Sequence, residues 1–239
     1  MTTAFQTRMP YDPVKRALPG IQPLGDDPWL IFDEAFADQM AERDRLLREK
    51  RGAVLVLDPQ ARSAADELLA MVLAEKYPDA GETVTRPDGV RVTVDRDDPL
   101  GTLGRIVQDD FVILQKLGDE HVLTGAVLCF PANWTLAEKF LRPLSIIHDP
   151  VSEYDDNITR RVQRLFDGVR PGRPIWRYNA LWYSNPDLFQ PKSPEKRVEG
   201  GYLRSERQCI LRLPETQAVV FSIHTFLLQP EDAAAVTFT

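Results

Sequence analysis

One stretch of the chain combines residue types that could bind a large anionic cofactor. Residues 130–151, FPANWTLAEKFLRPLSIIHDPV, contain Trp134, Lys139, Arg142 and His148, the last being one of only three histidines in the chain. A neutral imidazole can serve as the axial ligand of a haem iron, and the two cations could pair with the haem propionates. The alternative is a structural corner, with His148 hydrogen-bonded in a turn and both cations on a solvated helix face.

A second group of polar residues lies at the start of an apolar, strand-like run, 204–213. With a period of two residues, Arg204, Glu206 and Gln208 share one face, while Arg207 points to the other. The shared face could be the wall of a polar cavity in which Glu206 meets a cationic substrate. It could equally be a solvent-exposed ladder of cross-strand pairs, and the sequence pattern leaves both interpretations open.

The remaining titratable residues give weaker signals. His121 follows a hairpin turn and is predicted to be exposed, while His224 alternates with apolar residues of the last strand and faces a pocket or solvent. Asp109 and Asp110 are adjacent, so on a strand they face opposite ways and cannot form an acid/base pair. A turn or a strand edge is the preferred interpretation for both. No GxSxG, HExxH, Walker or GxGxxG motif occurs, and 101–104 (GTLG) is too short for a phosphate loop.

Composition excludes several classes of protein. With 239 residues the chain can form one large domain or two small ones. A net charge of -7 argues against a general nucleic-acid or anionic-membrane binder. There is no apolar run of about 20 residues and no apolar N-terminal signal region, so neither a membrane span nor secretion is predicted. Cys129 and Cys209 lie far apart, which favours two free thiols in a reducing, cytoplasmic compartment.

The elements that position these residues divide into an arm and one domain. Residues 1–32 are predicted to form an extended N-terminal arm, since five prolines fall within the first 30 residues. Its aromatic residues could anchor it to the domain surface; they are Phe5, Tyr11 and Trp29. Residues 33–239 are predicted to form a single domain.

Hydrophobic periodicity within this domain predicts helices first and hairpins afterwards, which indicates an α+β fold with a mainly antiparallel sheet. Residues 79–104 are predicted to be loop-like around one hairpin, and no regular element is predicted within 170–200. Helices are predicted at 33–51, at 58–77 and at 154–169, a short strand at 54–57, and hairpins at 84–94, 106–130 and 204–226.

These motifs resemble those of the alpha subunit of haem-dependent oxidative N-demethylase, a family whose haem domain has a PAS-like fold. The resemblance implies an α+β domain with a PAS-like antiparallel sheet, flanking helices and an extended N-terminal arm. Pro13 and WLIFD (29–33) match the family's N-terminal signature more loosely. The closer matches are VQDDFVIL (107–114), FPANW-x3-EK-x2-RPLSIIHDPV (130–151) and RSERQCILRLPETQAVVFSIHTF (204–226).

The family reaction implied by the resemblance is the oxygen-dependent removal of a methyl group from a small secondary amine such as dimethylamine. The products are a primary amine and formaldehyde, and haem supplies the oxidation chemistry. Carried over by position, His148 is the axial iron ligand, and Lys139, Arg142 and Trp134 are the other cofactor-binding residues. Glu206 and Arg207 are carried over as catalytic groups on the distal side of the haem, or as structural groups.

The resemblance also implies a partner. Electrons in the family come from separate subunits with flavin and an iron–sulfur centre, and this sequence has neither a cysteine cluster nor a dinucleotide fingerprint. His224 stands where the family usually has an arginine, so it could alter the pocket or compete for iron. Two other functions stay open: a haem-binding or small-ligand sensor, since fold does not determine function, and a non-catalytic interaction subunit.

Overall fold

The computed structural model describes residues 5–12, 20–147, 156–192, 201–234 and 236, with the backbone alone for residues 156–160. The strands are β1 (Gln22–Pro23), β2 (Leu55–Leu57), β3 (Thr83–Thr85), β4 (Arg91–Thr93), β5 (Asp110–Leu117), β6 (Glu120–Val127), β7 (Ile175–Tyr183), β8 (Tyr202–Arg212) and β9 (Val219–Leu228). The helices are α1 (Phe36–Glu49), α2 (Arg51–Val54), α3 (Arg62–Lys76), α4 (Pro99–Ile106), α5 (Leu136–Lys139), α6 (Leu144–Ile147), α7 (Asp156–Gly168) and α8 (Pro230–Ala233).

Seven strands form one sheet in the order β1-β7-β8-β9-β5-β6-β2, and each neighbouring pair is antiparallel. The predicted α+β class with a mainly antiparallel sheet is therefore confirmed. The two long predicted hairpins, β5–β6 and β8–β9, form the centre of this sheet, and β3–β4 forms a separate hairpin. That the sheet is of the PAS type stays a prediction from the resemblance.

Helices cover both faces of the sheet, which explains why its central strands are rich in apolar residues throughout. One face packs against α1, α3 and α4 and contributes Cys209 and Leu211 of β8 to the larger apolar cluster. The other face packs against α5, α6 and α7 and contributes Ile210. Across the described ranges, no helix is long and apolar enough to cross a bilayer.

The aromatic residues of the N-terminal segment contact the sheet, as the sequence predicts. The Phe5 ring stacks on Tyr202 with centroids 5.6 Å apart, and the Tyr11 ring stacks on Tyr178 at 4.6 Å. The indole nitrogen of Trp29 donates to Ser222 Oγ at 2.9 Å. These contacts hold the described parts of the segment against β8, β7 and β9.

Helix α4 corrects the prediction that residues 79–104 are loop-like. Its start has the expected signals: Asp98 accepts a hydrogen bond from the Gly101 N–H, and Pro99 occupies the first turn. Two glycines in so short a segment hide the helical pattern. A Cβ on Gly104 would lie 2.8 Å from Val127 Cγ2 and 2.9 Å from Leu47 Cδ1, so glycine lets α4 approach the sheet and α1.

Gly104→Ala is therefore expected to lower the free energy of unfolding by about 1–2 kcal/mol, because overpacking outweighs the gain in helix propensity. Gly52→Ala in α2 is the matched control, since a Cβ there meets no atom within 4 Å. Urea unfolding of both variants measures the difference. Equal stability of the two would contradict the close-packing argument.

Strand β7 corrects the absence of any predicted element within 170–200. It pairs with β8 from Ile175 opposite Ile210 to Tyr183 opposite Tyr202. Its high content of aromatic residues is typical of a strand, and the flanking prolines obscured it. The aromatic residues are Trp176, Tyr178, Trp182 and Tyr183.

Candidate functional site

The polar residues of β8 are buried. The exposed fractions of Arg204, Glu206 and Gln208 are 2%, 7% and 8%. The interpretation of these residues as a solvent-exposed ladder is therefore wrong. They lie on the sheet face that carries Ile210 and that α5, α6 and α7 cover.

Neighbouring side chains fix the Glu206 carboxylate in position. Asn179 Nδ2, on the adjacent strand β7, donates to Glu206 Oε2 at 2.9 Å, and Gln208 Nε2 donates to the same oxygen at 3.0 Å. Arg204 Nη2 lies 3.7 Å from the other oxygen, Oε1. A buried carboxylate held by three nitrogen groups presents a negative charge of defined orientation to this face.

Lys139 and Trp134 lie near this carboxylate although they are far from it in sequence. The Lys139 ammonium lies 4.2 Å from the centroid of the Trp134 ring. Burial lowers the pKa of Lys139 to about 8, while the charge of Glu206 acts in the opposite direction. Among the described residues, Lys139 makes no ion pair, and the charges that act on it are those of Glu206 and Glu138.

Two buried polar atoms in the same region have no hydrogen-bond partner among the described residues: Thr225 Oγ1 and Arg204 Nε. Thr225 lies directly opposite Glu206 in the β8–β9 pairing, so the two side chains share a face. Buried polar atoms in proteins are nearly always hydrogen-bonded. The unpartnered atoms, together with Lys139, fit a site that is completed by a polar or anionic ligand.

The described structure brings some of the predicted cofactor residues together. His148 itself lies outside the described residues. Its preceding neighbour, Ile147 of α6, packs in the same cluster as Val162 of α7 and Ile210 of β8, on the face that carries Glu206. Arg142 is exposed, and its carbonyl oxygen accepts from Leu123 N at 3.1 Å. The Arg142 N–H donates to Lys139 O at 3.1 Å, so the main chain of Arg142 lies between β6 and the turn that carries Lys139, with its side chain exposed.

Arg207 points to the opposite face of the sheet, as the period of two predicts. Its guanidinium donates to Trp29 O at 2.9 Å and to Pro28 O at 2.8 Å, and it lies 5.3 Å from the Trp176 ring centroid. These contacts join the N-terminal segment to β8. Contacts of this kind, which hold one segment of the chain against another, are typical of a structural role for Arg207.

His224 forms a buried ion cluster that the sequence did not reveal. His224 Nε2 lies 3.0 Å from Asp33 Oδ2, and Nδ1 lies 3.3 Å from Asp109 Oδ2. Burial alone would lower the pKa of His224, but the hydrogen bonds with Asp109 and Asp33 raise it to about 9. Both ring nitrogens of this imidazolium are engaged, so His224 is not free to compete for iron.

His121 corrects the prediction of an exposed histidine, because only 1% of its surface is exposed. Gln163 of α7 bonds to its Nδ1 at 2.7 Å, and its ring packs on Phe166 of the same helix. Burial lowers its pKa, which keeps the imidazole neutral at pH 7. Its Nε2 has no hydrogen-bond partner in the described part of the chain.

Asp109 and Asp110 are both buried, and each has a cationic partner. Asp109 contacts His224, whereas Asp110 accepts from Arg43 Nη1 at 2.7 Å and from the main-chain N–H groups of Cys129 and Phe130. Both cysteines are free thiols. No group of three acidic, histidine or cysteine side chains within the described ranges could hold a metal ion. A haem would need only one such ligand from the protein.

Residues 20–237 match the family haem-dependent oxidative N-demethylase, alpha subunit-like. The match covers well over half of the chain. The chain belongs to this family.

Membership of the N-demethylase alpha-subunit-like family confirms the resemblance drawn from the sequence motifs. The family's description names haem dependence, oxidative N-demethylation and a subunit. The matched range includes Trp134, Lys139, His148 and Glu206. The buried polar face and the stretch that leads to His148 therefore both lie within the family region of this chain.

Proposed function

We propose that this chain is the haem-binding subunit of an oxidative N-demethylase that acts on a small secondary amine such as dimethylamine. The products are a primary amine and formaldehyde, and O2 is the oxidant. The observation that carries the proposal is the buried Glu206 carboxylate, whose charge acts on Lys139, together with the Lys139 ammonium 4.2 Å from the centroid of the Trp134 ring. It gives a negative site for a cationic amine next to a positive site for an anionic cofactor.

The described residues fit a haem. Lys139 has no ion-pair partner among them, so it can pair with a propionate, and the Trp134 ring offers an apolar surface to the macrocycle. His148 is proposed as the axial ligand and the exposed Arg142 as a second propionate partner. When bound, haem supplies the oxidation of the methyl carbon by O2.

The protein's own part in the reaction is to bind and orient the amine. A protonated secondary amine donates an N–H to Glu206 Oε1 or Oε2, while Asn179 and Gln208 hold the carboxylate in place. The covering helices keep water out, which strengthens this charge pair. Oxidation leaves a carbinolamine, and Glu206 is placed to accept its hydroxyl proton and return it to nitrogen as the C–N bond breaks. We propose that Arg207 acts by holding the N-terminal segment on β8.

Electrons are proposed to come from a partner protein that carries flavin and an iron–sulfur centre. The chain has only two cysteines, Cys129 and Cys209, and both are buried and far apart in sequence. Two cysteines are too few to bind an iron–sulfur cluster, which usually needs four cysteine thiolates.

Formaldehyde release tests the proposed function. The haem-loaded chain, a flavin and iron–sulfur reductase, NADPH and O2 are mixed with dimethylamine, and formaldehyde and methylamine are measured. Equal amounts of the two products are expected, together with a change in the haem spectrum when the amine binds. Tetramethylammonium, which has no N–H to donate to Glu206, is the matched control and should give neither signal. Bound haem that shows no spectral change and no turnover with dimethylamine would contradict the proposal and favour a sensor.

A further inference from the structure

The sheet face opposite Glu206 holds an ion cluster that joins three distant parts of the chain. Asp33 lies just before α1, Asp109 just before β5, and His224 in the middle of β9. The His224 and Asp109 side chains are 0% and 1% exposed, and the Asp33 side chain is 9% exposed. The imidazole lies between the two carboxylates, at 3.0 Å from Asp33 and 3.3 Å from Asp109.

This cluster fastens the N-terminal segment to the sheet. Gln6 Nε2 donates to Asp33 Oδ2 at 2.8 Å, and the Gln6 main-chain N–H donates to Leu227 O at 2.9 Å. In return, Leu227 N donates to Gln6 Oε1 at 2.8 Å. The other Asp33 oxygen accepts from Gln108 Nε2 at 2.8 Å and from the Ala35 N–H at the start of α1.

Among the charged groups near this cluster, His224 is the one whose ring contacts both the Asp33 and the Asp109 carboxylates. Arg207 of β8 lies opposite His224, but its guanidinium donates to the main-chain oxygens of residues 28 and 29. Arg43 of α1 pairs with Asp110; it also donates to Asp109 O at 2.8 Å, and its charge acts on the Asp109 carboxylate from a greater distance. Uncharged groups of the described residues also lie at this cluster: the Phe226 ring, with its centroid 4.7 Å from that of the imidazole, and Gln39 of α1, which donates to the adjacent Thr225 O.

We infer that His224 is a pH-sensitive latch that, when protonated, holds residues 5–12 and the start of α1 on the sheet. An imidazolium donates two N–H groups and satisfies Asp33 and Asp109 together. A neutral imidazole has one N–H, so one carboxylate would face a lone pair and the two carboxylates would repel each other. Loss of the proton therefore releases Asp33, and with it the contacts of Gln6 that anchor the N-terminal segment.

The direction of the pH dependence follows from the shifted groups. The pKa of His224 is raised from about 6.5 to about 9, so the contribution of the latch to stability is fully present below about pH 6.5 and is lost as the pH rises through about 9. Burial opposes ionisation of Asp33, but the hydrogen bond with His224 lowers its pKa. The latch therefore also persists into the acidic range and opens on the alkaline side.

Hydrogen exchange measured by mass spectrometry on the full chain tests the latch. Exchange in peptides that cover residues 5–12 and 27–36 is followed from pH 6 to 10.5 and corrected for the intrinsic rates. The corrected exchange should rise about tenfold per pH unit from about pH 6.5 and level off in a step that ends near pH 9, since one proton controls the opening. A peptide from the β5–β6 hairpin, which the latch does not hold, should stay constant.

Asp33→Asn removes one carboxylate and should move the step down by about one pH unit or more, because one charge partner of His224 is lost. Asp38→Asn is the matched control, since Asp38 is an exposed carboxylate in the first turn of α1. Should Asp33→Asn not fold, an NMR titration of the His224 ring in the unmodified chain measures its pKa directly. A ring pKa near its ordinary value, a flat exchange profile, or an unmoved step in Asp33→Asn would overturn the latch.

Discussion

Arg43→Leu is expected to lower the free energy of unfolding by about 3–5 kcal/mol, because it leaves a buried carboxylate without its cation. Arg43 is completely buried and donates to Asp110 Oδ1 at 2.7 Å. It also donates to the main-chain oxygens of Gly104, Gln108 and Asp109 at 3.0, 3.1 and 2.8 Å. Leucine can replace the apolar part of the side chain, but it forms none of these four hydrogen bonds.

Urea unfolding at pH 7 measures this loss, and Arg45→Leu in the same helix is the control. Arg45 also forms two ion pairs, with Glu42 and Glu49, but its side chain is 40% exposed. Exposed pairs of this kind contribute about 0–1 kcal/mol. Equal losses of stability in the two leucine variants would contradict the inference that the buried Arg43–Asp110 pair holds α1 against β5.

Glu206→Gln is expected to lower kcat/KM for dimethylamine by about 100-fold or more, since removing one member of a buried charge pair costs about 2–5 kcal/mol. Glutamine keeps the shape of the side chain and can still accept from Asn179, so haem content and stability should change little. The lost property is the negative charge that faces the ammonium group of the substrate.

The control for this substitution is Glu215→Gln, which removes a carboxylate from the exposed β8–β9 turn of the same sheet. Formaldehyde release at several amine concentrations, normalised to bound haem, gives kcat/KM for each variant. Equal values for Glu206→Gln and the unmodified chain would show that the carboxylate does not bind the amine. The haem assignment would stand in that case, because the two sites are tested separately.

Much of the fold could be predicted because local patterns match the final elements. Helices α1 and α3 show a 3.6-residue period. Asp58 before Pro59 caps, with a side-chain hydrogen bond to Gln60 N, the short 3-10 turn Pro59–Ala61 that leads into α3. The two central hairpins follow from long β-branched and apolar runs. Helix α4 was missed because the glycines that allow its close packing also weaken its helical pattern, and β7 was missed because prolines flank it.

The candidate site was less predictable, because burial depends on which distant segment covers a face. The period of two correctly separates Glu206 from Arg207 on β8, but it cannot show that α5, α6 and α7 cover the Glu206 face. His121 was predicted to be exposed because it follows a turn, whereas α7 covers it. The pairing of His224 with Asp33 joins residues 191 positions apart, which no local pattern reveals.

The central claim is that the chain binds haem through His148, and an absorption spectrum tests it most directly. The chain is expressed with a supply of haem and compared with His148→Ala and with His121→Ala, which removes another histidine whose Nε2 has no partner among the described residues. The account predicts a Soret band at one haem per chain, lost or shifted in His148→Ala and kept in His121→Ala. No Soret band after haemin is added to folded protein, or an unchanged band in His148→Ala, would contradict it.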